Sequence, residues 1–284
     1  MTATAGRVAR VRKALRPLYR ALFGERMRAR LRPLTYPTDS LFRSLAWRGA
    51  QGRVFAGPFA GLRLAPHPFL PHLLGTYECE LHDVIESLCG QQWTRIVNVG
   101  GGNGFYIAGL GRRVPDAELV VFELTAEARA VITATLERNG LAARATVLGA
   151  AAPSNLEAAC AGPGSTLVVM DVEGAEMELI DSVLVPSLRG VTILVETHDV
   201  IRAGCRDAIT SRLATTHRVR AIATRARTIA DFPTSVSPTL SWMMPAHCLD
   251  AVQEWRGGRQ EWLLLDPLAR APAAPRAPVS LSPS

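Results

Sequence analysis

The 284-residue sequence is poor in lysine, paired cysteines and long apolar runs, and each shortage excludes a class of protein. Lys13 is the single lysine and no Gly-x-x-x-x-Gly-Lys-Ser/Thr stretch occurs, which excludes a P-loop nucleotide site. The five cysteines include no Cys-x-x-Cys pair, so neither a zinc ribbon nor a disulfide framework is expected. No apolar run reaches the roughly 18 residues of a transmembrane helix, and no secretory signal is apparent. We therefore expect a cytoplasmic protein with reduced thiols.

Charge is distributed unevenly along the chain. Residues 1–64 contain 14 basic and 2 acidic residues, whereas residues 65–284 contain 18 basic and 23 acidic ones. The net charge of +7 therefore belongs to an N-terminal arm, and the rest of the chain is mildly acidic. The high content of arginine and alanine is also typical of a GC-rich bacterial genome. Arginine by itself is therefore weak evidence for binding to phosphate.

The arm and the C-terminus are predicted to lie outside the main domain. Apolar residues at helical spacing within residues 6–32 alternate with arginines, which predicts a basic amphipathic helix. We favour a helix that packs on the body, with contact to a membrane surface or to nucleic acid as the alternatives. A short hairpin is predicted at residues 52–65 and completes an extension that spans residues 1–64. Residues 268–284 are rich in proline and alanine, which predicts a disordered tail.

Between these ends, residues 65–267 alternate between apolar strands and helical patterns. Strands are predicted at residues 95–100, 118–124, 143–151, 165–174, 191–199, 217–225 and 259–267. Helices are predicted at residues 76–89, up to about 113, at 126–139, from about 175 to 188 and at 206–215. Strands that are apolar throughout and separated by helices indicate a parallel sheet covered on both faces. We predict an α/β fold with a doubly wound, mostly parallel seven-stranded sheet.

Ligands of such folds bind at the carboxyl ends of the strands, where a glycine-rich loop follows the first predicted strand. Asn98 precedes Gly100, Gly102 and Gly104 at steps of two, and Glu123 ends the second strand 19 residues after Gly104. A carboxylate at that position can accept both hydroxyls of a ribose. The spacing differs from the Gly-x-Gly-x-x-Gly of dinucleotide sites. The pattern therefore predicts a cofactor that contains adenosine.

Two motifs resemble those of a known family. The glycine spacing is similar to the first motif of class I S-adenosylmethionine-dependent methyltransferases, commonly Glu/Asp-x-Gly-x-Gly-x-Gly. The hexad Asp-Val-Glu-Gly-Ala-Glu at residues 171–176 resembles the hallmark that follows the fourth strand of FkbM-type methyltransferases. The resemblance covers about residues 75–225.

The resemblance implies a seven-stranded methyltransferase fold with S-adenosylmethionine bound at the strand ends. Gly100, Gly102 and Gly104 would then cradle the methionine part of the cofactor, and Glu123 would hold its ribose.

Asn98 stands where the family usually has an acid, so its contact with the methionyl ammonium would lack charge assistance. Glu78 or Glu80, just before the first strand, could supply the missing charge. We include Glu78 and Asp171 among the predicted cofactor-binding residues.

The predicted catalytic residues lie at the ends of the fourth and fifth strands. Asp171 and Glu173 end the fourth, and Glu196, His198 and Asp199 end the fifth. His198 titrates near neutrality and is the first choice as general base, with Asp171 or Glu196 orienting it or binding acceptor hydroxyls. A structural loop histidine is the alternative for His198.

Three further interpretations concern other groups. Asp171, Glu196, His198 and Asp199 could together hold a cation, but carboxylate clusters are common without one, and we predict no metal. Glu176 is interpreted as an acid that suits a helix N-terminus, without a role in the site. His82 is a second choice as base.

The late part of the chain offers an acceptor lid. Residues 226–258 fit the sheet pattern poorly, and Trp242 and Arg256 could face a sugar or aromatic acceptor. Trp262 is interpreted as ordinary strand core.

The predicted function is O-methylation of a hydroxyl on a sugar or a natural-product-like small molecule, with S-adenosylmethionine as cofactor. One alternative is a nucleic-acid methyltransferase that uses the basic arm, although no Asn/Asp-Pro-Pro-Tyr motif occurs. Another is a non-catalytic cofactor-binding protein of the same fold. The acceptor and the oligomeric state are not specified by the sequence.

Overall fold

The computed structural model describes residues 47–48, 51–66, 69–237, 239–254, 256 and 260–268. The predicted helix at residues 6–32 lies outside the described residues, as does the predicted tail beyond Leu268.

A single seven-stranded sheet forms the centre of the described chain. Its strands are β1 (Arg95–Val99), β2 (Glu118–Phe122), β3 (Ala145–Leu148), β4 (Thr166–Met170), β5 (Thr192–Thr197), β6 (His217–Ala223) and β7 (Glu261–Pro267). Their order is β3-β2-β1-β4-β5-β7-β6, and only β7 runs antiparallel to its neighbours among these strands. The predicted doubly wound, mostly parallel α/β fold is confirmed.

Helices cover both faces of this sheet. They are α1 (Leu70–Leu74), α2 (His82–Cys89), α3 (Phe105–Arg113), α4 (Ala126–Arg138), α5 (Pro153–Cys160), α6 (Glu176–Leu179), α7 (Cys205–Leu213), α8 (Leu240–Met243) and α9 (Pro245–Ala251). Helices α2, α3 and α4 pack on one face, and α5, α6 and α7 pack on the other. Among the described helices, none has the length and apolar character needed to cross a bilayer.

The apolar runs of the strands follow from this double cover. Ile96 belongs to the core under α2 and α3, while its neighbour Val97 belongs to the core under α5 and α7. Leu167 and Val168 divide in the same way on β4. Both faces of a central strand are therefore shielded from solvent, and apolar residues are not expected to alternate with polar ones there.

Two predicted helices have different bounds in the structure. The helix predicted from residue 76 begins at His82, because Glu78 has a left-handed backbone with φ of 48° and only a 3-10 turn, Cys79–Leu81, separates the two. The helix predicted from about 175 to 188 is α6 alone, followed by a 3-10 turn that starts at Pro186. A continuous helix cannot extend through Pro186, because the proline ring clashes with the preceding turn and proline lacks the backbone N–H that a helix interior requires.

Sequence patterns also misjudged two shorter segments. Helix α5 was not predicted, although Pro153 at its first turn is a typical helix start. The hairpin predicted at residues 52–65 is reduced to one antiparallel bridge, between Arg53 and Arg63. This loop instead buries Phe59, whose ring lies 5.2 Å from that of Phe105.

Candidate active site

The carboxyl ends of β1 and β4 lie side by side, and this contact explains the first glycine of the loop at residues 100–104, here called the glycine loop. Gly100 has φ of 81°, and a Cβ atom on it would lie 1.8 Å from the carbonyl oxygen of Asp171. No other residue fits so close to a neighbouring backbone. The glycine loop and the hexad are therefore joined directly.

The middle of the glycine loop faces open space and is held by Glu123. The N–H of Gly102 donates to Glu123 Oε2 at 3.0 Å, and the N–H of Thr125 donates to Oε1 at 3.0 Å. No atom lies within 4 Å of the position that a Cβ on Gly102 would take, although its φ is 54°. A cleft of about 520 Å³ opens here, lined in part by Ala65, Phe69, Asn103, Thr125 and Val131.

Asn98 lies within the sheet, two residues before the glycine loop. Its side chain is buried, and Nδ2 donates to the carbonyl oxygen of Val169 at 3.2 Å. Oδ1 is also buried and has no hydrogen-bond partner among the described residues. One acceptor atom of Asn98 therefore remains available.

Arg256 joins Glu78 to the end of β5. Its two terminal nitrogens contact the carboxylates of Glu78 and Glu196, and its Nε donates to Glu254 Oε2 at 2.8 Å. The hydroxyl of Tyr106 donates to the second oxygen of Glu78. The side chains of the three carboxylates that contact the guanidinium are at most 4% exposed. Arg256, predicted to face an acceptor, is instead enclosed by carboxylates.

Burial dominates the ionisation of these two glutamates. It raises the pKa of Glu78 to about 7, although the Arg256 charge and the Tyr106 hydrogen bond act in the opposite direction. Burial, together with the charges of Glu78 and Asp171, raises the pKa of Glu196 to about 9 despite the contact with Arg256. Both carboxyl groups can therefore retain protons near neutral pH, which limits the negative charge beside Arg256.

Four side chains meet where β4 and β5 end, and we call Asp171, Glu176, Glu196 and His198 the strand-end cluster. His198 is fully buried, and its Nδ1 lies 2.6 Å from Glu176 Oε1. Its Nε2 lies 3.6 Å from Asp171 Oδ1, 3.6 Å from Glu196 Oε2 and 3.8 Å from Glu173 Oε2. The structure therefore brings the three predicted catalytic residues together.

Acid neighbours also control the ionisation of His198. Burial by itself lowers the pKa of the imidazole, but the hydrogen bond and charge of Glu176 and the charges of Glu196 and Asp171 raise it to about 9. Burial raises the pKa of Asp171 to about 6, opposed by the charge of His198. The cluster thus compensates part of its negative charge by retaining a proton on the imidazole.

Two predicted residues lie apart from the strand-end cluster. Asp199 accepts hydrogen bonds from the N–H groups of Gly204 and Arg206, at 3.1 and 3.2 Å, and so shapes the turn before α7. Glu80 pairs with Arg227 at 2.5 Å, and its suggested role in place of the acid at residue 98 stays a prediction. Asp199 is not among the described side chains whose donor atoms converge with Nε2 of His198, so the suggestion that it joins them in a cation site is wrong.

Sequence reasoning missed the role of Glu176. It was interpreted as a helix-terminal acid, yet its side chain is fully buried and carries the shortest contact of His198. The hexad itself was the available signal.

Trp262 is fully buried, as expected for a residue of the strand core. Trp242 on α8, predicted to face an acceptor, is 83% exposed.

The chain was compared with known families, curated proteins and solved structures. No protein-family model matches it, and neither does any curated protein. The O-methyltransferase TomG of Streptomyces achromogenes, involved in tomaymycin synthesis and solved in complex with SAM, is 16% identical, covers 81% of this chain and 89% of its own, and has a TM-score of 0.40. The Bacillus cereus O-methyltransferase in complex with SAH is 13% identical, with coverages of 81% and 91% and a TM-score of 0.42. A human methyltransferase 10 domain containing protein is 12% identical, with coverages of 81% and 94% and a TM-score of 0.45. The fold assignment therefore rests on the strand order of the chain itself.

Proposed function

We propose that this chain is an S-adenosylmethionine-dependent methyltransferase that methylates a hydroxyl group of a small molecule. The observation that carries the proposal is Gly102, which presents an open backbone to a cleft while its N–H is anchored by the carboxylate at the end of β2. A glycine without a side chain lets a cofactor approach the backbone closely, and an acid at the end of the next strand can bind the ribose of an adenosine. The strand-end cluster provides the polar chemistry at the same edge of the sheet.

The cofactor-binding roles follow from which atoms are still available. Oε1 of Glu123 accepts both the N–H and the hydroxyl of Thr125, whereas Oε2 accepts the N–H of Gly102 and keeps a lone pair, which can accept a ribose hydroxyl. The free Oδ1 of Asn98 and the acidic surroundings of Glu78 suit the methionyl ammonium. When bound, the cofactor supplies an electrophilic methyl group on a sulfonium.

The acceptor side is assigned to Asp171, because it is the accessible member of the strand-end cluster. Its side chain is 29% exposed, whereas His198 and Glu196 are almost completely enclosed. The bound cofactor would supply the methyl group to the acceptor oxygen, and its sulfur would keep the electron pair of the carbon–sulfur bond that is broken. The Asp171 carboxylate takes the hydroxyl proton, and the buried imidazole of His198, with Nε2 3.6 Å from Asp171 Oδ1, controls the charge beside it. In this arrangement His198 is a positioning residue rather than the base itself.

A sugar or natural-product hydroxyl remains the proposed acceptor class. The alternative of a nucleic-acid substrate depends on the basic arm, which lies outside the described residues, and no described feature favours it.

A matched pair of glycine variants tests cofactor binding. Gly102→Ala and Gly140→Ala each place a methyl group on a left-handed residue, with φ of 54° and 69°, and neither methyl group meets an atom within 4 Å. Their backbone cost is therefore similar, roughly 1 kcal/mol. We expect calorimetric titration with S-adenosylmethionine to show binding weakened at least about tenfold, or roughly 1.4 kcal/mol, by Gly102→Ala and unchanged by Gly140→Ala. Equal affinities, or no binding by the native chain, would contradict the proposal.

Turnover is tested by Asp171→Asn, which keeps the shape of the side chain and removes the proton acceptor. We expect methyl transfer from labelled cofactor into a small-molecule extract to fall by roughly 10²–10⁴. Glu178→Gln on the exposed side of α6 serves as the control and should retain native activity. Native turnover by the Asp171 variant would remove that residue from the proposed role.

A further inference from the structure

We propose that Asp171, Glu196 and His198 form a binding site for a divalent cation. The binding itself can be measured without a cofactor or an acceptor. The role of the cation, to bind and acidify the acceptor hydroxyl, rests on the proposed function.

The distances between the three donor atoms suit one ion. Nε2 of His198 lies 3.6 Å from Asp171 Oδ1 and 3.6 Å from Glu196 Oε2, and all three donors lie within 4.8 Å of one another. Donors bound to one cation at about 2.1 Å are separated by roughly 3.0–3.4 Å, depending on octahedral or tetrahedral geometry. A shift of a few tenths of an ångström would complete the contacts. These separations are too long for hydrogen bonds between the same atoms.

Two of the donor atoms are buried and lack partners. His198 Nε2 and Asp171 Oδ1 are inaccessible to solvent and form no hydrogen bond with any described residue. The His198 side chain is fully buried, so solvent does not satisfy its ring nitrogen. A buried polar atom without a partner is rare in folded proteins and requires an explanation. A shared cation satisfies both atoms at once.

Glu176 orients the imidazole as a metal-bound histidine is usually oriented. Its Oε1 lies 2.6 Å from Nδ1, which leaves Nε2 directed at Asp171 and Glu196. Metal-bound histidines almost always donate their second ring N–H to a carboxylate or carbonyl, which fixes the tautomer and the ring plane. Glu176 is the buried carboxylate that such a site requires behind its histidine.

With its carboxyl groups ionised, the site has room for the two positive charges of a divalent cation, which binds in place of the protons held there. Five carboxylates surround the site, and the described cation among them other than His198 is Arg256. Arg256 contacts one oxygen of Glu196 and leaves the other directed at His198. A cation therefore binds without displacing the guanidinium.

Two carboxylate oxygens and one imidazole nitrogen form a mixed donor set. Carboxylates suit magnesium and manganese, whereas imidazole suits zinc, iron and other first-row metals. Mn²⁺ accepts both donor types and serves as the probe. Three protein ligands leave positions open for water and for an acceptor hydroxyl, whose pKa a bound cation lowers.

The test uses the full chain after treatment with a chelator and removal of the chelator. Added Mn²⁺ is followed by electron paramagnetic resonance, in which bound Mn²⁺ loses the sharp signal of the free ion. We expect one bound ion per chain, with affinity reduced at least about tenfold, or roughly 1.4 kcal/mol, by Glu196→Gln and by His198→Gln. Glu178→Gln is the matched control and should bind as the native chain does. Circular dichroism verifies that each variant is folded.

A second measurement on the native chain avoids any dependence on variants. His198 and His217 lie at opposite ends of β5, because His217 Nε2 contacts the carbonyl of Val191 at 3.0 Å. We expect Mn²⁺ to broaden the imidazole nitrogen signals of His198 at lower concentrations than those of His217. Equal broadening, or no loss of the free Mn²⁺ signal, overturns the proposal.

Failure of this site is distinguishable from failure of the proposed function. If the chelated chain binds S-adenosylmethionine and transfers methyl groups but does not bind Mn²⁺, the cation site is wrong and the methyltransferase proposal stands. If Mn²⁺ binds at the three residues and the cofactor does not, the cation site stands and the proposed function is wrong.

Discussion

Single buried side chains determine much of the chemistry at the edge of this sheet. Glu78 and Glu173 both have left-handed backbones, with φ of 48° and 53°, and both lie beside the strand-end cluster or its arginine. Such conformations cost roughly 1–3 kcal/mol each in residues other than glycine and are concentrated at functional sites. The chain therefore stores strain where its ionisable groups meet.

His72 provides a prediction at this scale. Its ring stacks on Phe105 at 4.5 Å, its Nδ1 lies 2.8 Å from Asn103 Nδ2, and burial lowers its pKa from 6.5 to about 3. Between these two values the unfolded chain binds a proton that the folded chain excludes, so stability falls as pH decreases from 6.5 towards 3. His72→Phe keeps the stacking and removes the titration.

Urea unfolding across pH measures this contribution. Between pH 6 and pH 4.5 we expect the native chain to lose roughly 2 kcal/mol more stability than His72→Phe, at about 1.4 kcal/mol per pH unit. If the free energies of unfolding of the native chain and of His72→Phe change in parallel between pH 6 and pH 4.5, His72 does not cause the loss of stability. Other titrating groups are common to both chains and cancel in the difference.

At the scale of elements, the segment after β6 is attached to the front of the domain by ion pairs. Arg227 contacts Glu80 at 2.5 Å and Glu254 at 2.6 Å, and all three side chains are at most 6% exposed. Arg227 thus connects the 3-10 turn Cys79–Leu81 to the residues that follow α9. The segment predicted as a lid is therefore fixed at both ends of its described part.

Breaking this attachment should be costly. Arg227→Met leaves the buried Glu80 without its cation and leaves Glu254 paired with Arg256 alone, and we expect a loss of about 3–5 kcal/mol in the free energy of unfolding. The control is Arg113→Met. Arg113 pairs with Glu86 at 2.6 Å, and the two side chains are 39% and 50% exposed. That change should cost at most about 1 kcal/mol. Similar losses in urea unfolding for both variants would contradict the assignment.

At the scale of the whole molecule, we expect binding of the proposed cofactor to be coupled to folding. The glycine loop, β2 and the strand-end cluster come from distant parts of the chain and meet only in the folded state. A ligand that binds only there stabilises the native state by mass action, by about 2.7 kcal/mol at a hundred times its Kd.

A thermal melt of the native chain should reveal this coupling. With S-adenosylmethionine at a hundred times its Kd, we expect Tm to rise by roughly 5–10 °C for a domain of this size. At the same cofactor concentration, Gly140→Ala should show the full rise and Gly102→Ala a smaller one. A rise of the same size in both variants would place the cofactor elsewhere.

The sequence by itself determined the strands of the sheet and the position of the glycine loop. Apolar runs bounded by turns identified the inner strands β1, β2, β4, β5 and β7, because a strand buried on both faces must be apolar at successive residues. The edge strands β3 and β6 were also predicted, although they are only partly buried. Glycine spacing located the loop, since positive φ and close backbone approach exclude side chains at Gly100. These are local requirements, and a local pattern records them. The FkbM-type resemblance stays a prediction, because no family model matches the chain.

Only the tertiary structure decided which charged groups meet. Arg256 lies 178 residues from Glu78 and 60 from Glu196, and the antiparallel return of β7 brings the chain back to the end of β5. Glu176 was misjudged for the same reason, since its partner His198 is 22 residues away on another strand end. Pairing of buried charges depends on distance in space and on desolvation, and neither leaves a periodic signal in the sequence.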